Sequence, residues 1–432
     1  MRRLLPLLCG WMLCAAALAQ ASPTPEERLL EEIGQRAELM PNLEQLCDDI
    51  GSRLTGSSQL HRAQDWAMAR LRAYGAVKVH LEAYDMGRPW QRGAARARLL
   101  NANGMALDVV QKGWTEGTAG LVRAQVTLLE AKTLDEFKAA APALKGKIVL
   151  VESIFKATPE QRKDMARYRA DAAQAIRDAR LAGVLLVSSK GNGLRDMWGG
   201  PGSLFDQRAA ILTGEHANVL KRLQARGIVP QVELALGGRF AARSAMAHNV
   251  VADYPGSDGS GDMVVLEVLR AWHALGLRPK RALRIVLFSG EEQGLLGSRA
   301  YVTAHRGELA RIQAVLVKDT GSGRITGFPD MRNEAWYAAL SKAAAPAAGV
   351  GPLDVVYGQA GGSDFQPFAE QGVPAFPALQ DERDYRSHTQ HSQVDSLDHV
   401  DRAALTQAAQ VLAVMAWGLA NGERLPHGSA AP

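Results

Sequence analysis

Cysteine is nearly absent from this chain. Three occur in 432 residues, and two of them, Cys9 and Cys14, fall in an N-terminal stretch that reads as a leader. Cys47 then stands alone, so no intrachain disulfide can form and no thiol cluster can build a metal site. Any metal must be held by His, Asp and Glu. Charge of one sign is lacking too. Lys and Arg number 50 against 45 Asp and Glu, and the net +5 falls to about +3 once Arg2 and Arg3 leave with the leader. With no basic run interleaved with aromatics, nucleic acid is not an expected partner. No stretch beyond the leader is expected to span a bilayer. There is no internal repeat and no low-complexity tract. What is present, 47% hydrophobic and 22% charged residues, suits a soluble globular protein of one large domain or two ordinary ones.

Residues 1–21 read as a secretory signal. Arg2 and Arg3 precede an apolar run to Leu18, and Ala19-Gln20-Ala21 is a cleavage site of the A-x-A kind. A membrane anchor is the rival reading, but the run is short and polar Ser22-Pro23-Thr24-Pro25-Glu26-Glu27 follows at once. The expectation is a secreted or periplasmic protein with no membrane contact after cleavage.

The apolar spacing of Leu29, Leu30, Ile33, Leu39 and Leu43 predicts a helix over 26–50, and a second helix follows Ser57 and stops at Gly75. Residues 77–82 alternate like a strand. Between about 108 and 243 the character changes. Two buried-type strands, 146–151 and 183–188, flank a helix-forming stretch as a small βαβ-like module, and 191–202 is a glycine-rich loop expected at the surface. From 249 onward strands and helices alternate, with a last helix over about 402–419. The expected fold class is α/β: a layered domain with a mostly parallel mixed sheet, formed by 22–107 and 244–432, plus a small inserted domain at 108–243.

The run Arg284-Ile285-Val286-Leu287-Phe288-Ser289-Gly290-Glu291-Glu292-Gln293-Gly294 carries the most chemistry. A strand ends in a glycine turn, and two adjacent carboxylates follow. Side chains diverge at such a bend, so one can bind a metal while the other reaches a water on it. A bare Glu-Glu would more often be a solvated helix start, favoured by the dipole. Open α/β sheets, however, place their sites at strand carboxyl ends, and Asp319 follows another strand. His391 lies in the loop before the last helix, beside His388 and Asp395. Two carboxylates and an imidazole suit zinc. Taken singly, Asp319 could be a turn residue and His388 and His391 surface residues. Asp395 could cap the last helix or orient an imidazole.

On these residues the chain resembles the di-zinc exopeptidases that include carboxypeptidase Q and secreted bacterial aminopeptidases. The similarity also covers residues 42–57, His248-Asn249-Val250-Val251-Ala252 and Gly362-Ser363-Asp364-Phe365-Gln366-Pro367-Phe368. The segment 108–243 resembles a protease-associated insert. The resemblance implies Glu291 as general base, Glu292, Asp319 and His391 as zinc ligands, and a substrate pocket lined at Ser363 and Asp364. It implies short peptides or dipeptides as substrates and a homodimer.

The family also needs a His in a His-x-Asp strand end and an Asp bridging two zinc ions. Only Pro255-Gly256-Ser257-Asp258-Gly259-Ser260-Gly261-Asp262 separates the two flanking elements here, so a strand and loop of roughly twenty residues are missing against the family. In the family register Ser257 stands at the bridge and Asp258 beside it, as a substitute ligand. The expectation is therefore one zinc or none, a void in the sheet, and impaired hydrolysis. The rival is a non-catalytic pseudopeptidase that serves as a binding or dimerisation module.

Overall fold

The computed structural model describes residues 22–254 and 263–428. Thr24 opens the first helix, Pro25–Arg36, with a reciprocal cap: its hydroxyl accepts from the Glu27 N–H, and the Glu27 carboxylate accepts from the Thr24 N–H. The single helix expected over 26–50 is broken at Ala37. A second, Leu39–Glu44, starts there and widens into a π-turn at Gln45–Ile50. Pro41 explains the break, because proline fits the first turn of a new helix but clashes within a continuing one. Ser57 caps the helix Ser58–Ala73, which gives out just before Gly75, whose φ is 80°.

Residues between 95 and 236 build one eight-stranded sheet. Its central strands Val122–Leu128, Ile148–Val151, Gly183–Val187 and Ala209–Leu212 run parallel. The helix Met165–Asp178 links the second and third of these, which is the expected βαβ module. One face is covered by Phe137, Phe155, Tyr168 and Phe205, the other by Ala217, Leu220 and Leu223. The sheet begins at Ala95, so residue 108 lies inside it rather than at its edge.

The other half is likewise layered α/β with mixed sheets. Met246–Tyr254 pairs antiparallel with both Val77–Asp85 and Leu283–Leu287. Val315–Val317 runs parallel to Ala375–Pro377, and Ile325–Pro329 lies between Asp354–Val356 and Leu379–Gln380. The last helix, Arg402–Asn421, is long and apolar enough to cross a membrane, contrary to the expectation that no such stretch follows the leader. It is instead the core helix, with Ala408, Val411, Val414 and Met415 fully enclosed.

The void expected from the short 255–262 connection has a counterpart. Leu283 and Ile285 share one hydrophobic layer with Leu316, and Val286 shares the opposite layer with Val315, yet no described ladder joins the two strands. A cavity of about 50 Å³ lies there, walled by Val268, Leu283, Ala314, Leu316, Leu412 and Ala416. At roughly 24 cal/mol per Å³, a void of this size weakens the fold by about 1 kcal/mol. Filling it with Ala416→Leu should raise the unfolding free energy measured in urea by up to about 1 kcal/mol, and an unchanged or lower value would show the walls already closed.

Candidate functional site

The Glu-Glu turn is held from beneath by three neighbours. The Ser289 N–H donates to Asn249 Oδ1 at 3.2 Å, its hydroxyl donates to the His248 carbonyl at 2.8 Å, and its carbonyl accepts from the Tyr84 hydroxyl at 2.8 Å. Gly290 takes φ 74°, and a Cβ there would lie 2.6 Å from Tyr84 Oη. Only glycine fits. The Glu291 carbonyl accepts from the N–H groups of Gly294 and Leu295. The chain therefore turns through 291–295 before the helix Leu296–Ala304 begins.

Glu292 reaches His391: Nε2 lies 2.6 Å from Oε1. Two residues ninety-nine positions apart are thus brought into contact, and His391 does so with φ 51°. The hydrogen bond that the imidazole donates to Glu292 raises its pKa above the ordinary value, against the effect of burial. Asp319, just past Val315–Val317, lines the same cleft of about 430 Å³, together with Arg53, Lys318, Tyr385, Asp395 and His399.

Glu291 is the most perturbed acid. Burial first, and then the negative charges of Asp319, Glu292 and Asp364, push it up to about 8, with His391 opposing. Tyr385 is pushed up to about 12, by burial and then by Asp319, Glu292 and Asp395, so its hydroxyl stays protonated. A buried carboxyl raised further by neighbouring carboxylates marks Glu291 as a candidate functional residue.

Asp364 is near enough to raise Glu291, whereas Ser363 is buried, and its hydroxyl has no partner among the described residues. Asp258 lies outside the described residues. Asp401, not Asp395, caps the last helix, through the Ala404 N–H. Asp395 feels the charge of His391, but the carboxylate bonded to His391 is Glu292. Residues 191–202 are not simply surface: Asp196 pairs with Ser392 across the cleft wall. Sequence reasoning missed Tyr385 and Arg53. Tyr385 left one trace, Gly321, where a Cβ would meet its ring at 2.8 Å.

Comparison with known proteins places the fold among known families. Residues 256–416 match the model of Peptidase family M28. Carboxypeptidase Q of Homo sapiens is 26% identical over 366 residues, covering 78% of this chain and 75% of that protein. The Bos taurus protein is 28% identical over 305 residues, and the match spans 64% of this chain and 63% of its own length. The crystal structure of a Peptidase M28 precursor from Shewanella amazonensis SB2B superposes with a TM-score of 0.80 at 25% identity, over 93% of this chain and 98% of that one. BSAP, a zinc aminopeptidase from Bacillus subtilis, shares the fold with a TM-score of 0.65 at 17% identity, over 89% and 95%. With its fold, its Glu-Glu turn and these relatives together, the chain is a carboxypeptidase Q homologue that carries a metallopeptidase domain of Peptidase family M28.

Proposed function

We propose that this chain is a zinc exopeptidase by descent, shaped to cut short peptides at a free terminus, with impaired turnover. The observation that carries this reading is the 2.6 Å contact between Glu292 and His391 beside the crowded Glu291 carboxylate. Carboxylate oxygens and an imidazole are the donors zinc takes. Their number is short, since no three His, Cys, Asp or Glu side chains among the described residues stand placed to share an ion. Catalytic zinc sites use three protein ligands. Among the described residues, Glu292 and His391 with Asp319 beside them fit one weakly held ion and not a pair.

Zinc, when bound, supplies a Lewis acid that polarises a scissile carbonyl and acidifies water. The rest belongs to the chain. Glu291 takes the proton of the attacking water on its carboxylate and returns it to the leaving amine. Its raised pKa brings it close to neutral pH, where an acid–base group works best. The cleft orients the peptide, with Asp364 behind Glu291. The leader at 1–21 supports a secreted or periplasmic location, and the carboxypeptidase Q relatives support a homodimer. The sheet between 95 and 236 supports an inserted domain near 108–243.

A second reading, a non-catalytic pseudopeptidase that uses the same fold to bind or dimerise, draws on the shortage of ligands. Zinc per chain after dialysis, measured with dipeptide hydrolysis on the same sample, separates the two. The first reading expects at most one zinc and slow hydrolysis that Glu291→Gln lowers by 10²–10⁴-fold. A folded, zinc-free and inert chain establishes the second, and two zinc ions with rapid turnover overturn the impairment.

A further inference from the structure

We infer that residues 188–197 of the inserted sheet are a positioning element for His391, anchored by Asp196. This rests on the reading of His391 as a site residue. The left-handed backbone of His391 costs a non-glycine residue free energy and needs support from its surroundings.

That support comes from across the chain. The Met197 N–H donates to the His391 carbonyl at 2.5 Å, next to the antiparallel bridge between Asp196 and Ser392. The Arg195 N–H donates to Gln393 Oε1 at 2.8 Å, and Gln393 Nε2 donates to the Gly193 carbonyl at 3.2 Å. Lys190 Nζ donates to the Arg386 carbonyl at 2.7 Å. The donating edge is itself stiffened. The Asp196 carboxylate, 7% exposed, accepts from the Ser189 N–H at 2.7 Å, the Ser189 hydroxyl at 3.0 Å and the Ser188 hydroxyl at 3.2 Å. Ser188 Oγ in turn accepts from the Asp196 N–H.

Two cations hold the edge from behind. Arg92 donates to the Met197 carbonyl at 3.0 Å and lies over the Trp90 ring. Lys112, fully buried, donates to Ser203 Oγ and the Leu204 carbonyl, and its ammonium stands 5.5 Å from the Trp198 ring centre. A loop that served only as a connection would need none of these bonds. Their common effect is to fix the main chain at 391–393, and with it the direction in which the imidazole points.

Hydrogen exchange by mass spectrometry on the full chain tests this. In Asp196→Ala, peptides covering 386–395 and 195–198 should exchange roughly tenfold faster. Asp196→Asn, which keeps one carbonyl acceptor, should fall between. Tyr168→Phe deletes a buried hydrogen bond to the Phe155 carbonyl elsewhere in the same unit. It should lower the thermal midpoint without changing exchange at 386–395, which a merely structural role of Asp196 would not predict. Zinc affinity should fall about 10–100-fold in Asp196→Ala, as for other residues that orient a ligand. If Asp196→Ala does not fold, Gln393→Ala, at an exposed position, removes two of the bridging bonds and should move the same peptides. Unchanged protection at 386–395 in the variant that folds, or equal loosening by Tyr168→Phe, overturns the inference. A wild-type chain that binds no zinc while the exchange result holds removes His391 from metal binding and leaves the positioning intact.

Discussion

Replacing Arg270 with methionine should destabilise the chain by about 3–5 kcal/mol, the cost of stranding buried carboxylates without their cation. Arg270 donates to Glu32 Oε1 at 2.9 Å and to Glu267 at 2.7 Å, with all three side chains at most 10% exposed. The triad joins the helix Pro25–Arg36 to Met263–Ala274, the helix that directly follows the short 255–262 connection. It is therefore one of the few polar ties fixing that helix where the sheet is interrupted. Burial raises Glu267 above the usual carboxylate range despite Arg270. At Glu32 burial acts the same way, but the hydrogen bonds of Arg270 and Arg36 outweigh it and hold the group low. Without Arg270 the Glu267 carboxyl would lose its main opposing charge and rise further, while Glu32 would keep Arg36 alone. A carboxyl raised in the folded state loses its contribution as pH rises through that value, so the penalty should shrink on acidification. Urea unfolding of both proteins at pH 7.5 and pH 5 checks this: equal midpoints at pH 7.5, or a penalty that grows in acid, would refute the account. Adding Glu267→Leu and Glu32→Leu to Arg270→Met should recover much of the loss.

Much of this architecture was legible because local chemistry dictated it. Gly290 in the Glu-Glu run and Gly297 in the helix that follows it are both required by close approach, to Tyr84 and to Asn249 with the Ser289 carbonyl respectively. The apolar runs at 283–288 and 314–317 became strands because each lies between two apolar layers, whereas the alternation at 77–82 gave an edge strand that leaves Val77 and Leu81 exposed. The interruption between Leu283–Leu287 and Val315–Val317 was legible by arithmetic. Eight residues rich in glycine and serine cannot supply another apolar strand. What stayed hidden depends on partners far along the chain. Nothing near Met197 or Asp196 announces a bond to residues 391 and 392, since both are ordinary loop residues until the sheet between 95 and 236 folds against the cleft. Tyr385 was invisible for the same reason. The mistaken cap had a subtler origin: Asp395 and Asp401 both precede the last helix, and a short 3₁₀ turn at Leu397–His399 intervenes and hands the role to the nearer one.

Removing the charge of Glu291 should stabilise the metal-free protein at alkaline pH, even as it lowers any hydrolysis. The carboxyl stands at about 8 against an ordinary 4.5, first through burial and then through Asp319, Glu292 and Asp364. Between those values the native chain holds a proton that the unfolded chain has lost. The contribution of Glu291 is thus complete below pH 4.5 and is lost as pH rises through 8. The full span would correspond to at most ~5 kcal/mol. Solvent reaches this half-buried group, and four carboxylates share the repulsion, so about 1–2 kcal/mol is expected. With metal removed by EDTA, Glu291→Gln should therefore raise the thermal midpoint at pH 8.5 and leave it unchanged at pH 4.5. Zinc should narrow the gap at pH 8.5, because a dication offsets the same repulsion that glutamine removes. A variant equally or less stable than wild type at pH 8.5 would mean that the cluster is solvated and unstrained. The Glu-Glu turn would then lack the crowding of negative charge on which the proposed zinc site rests.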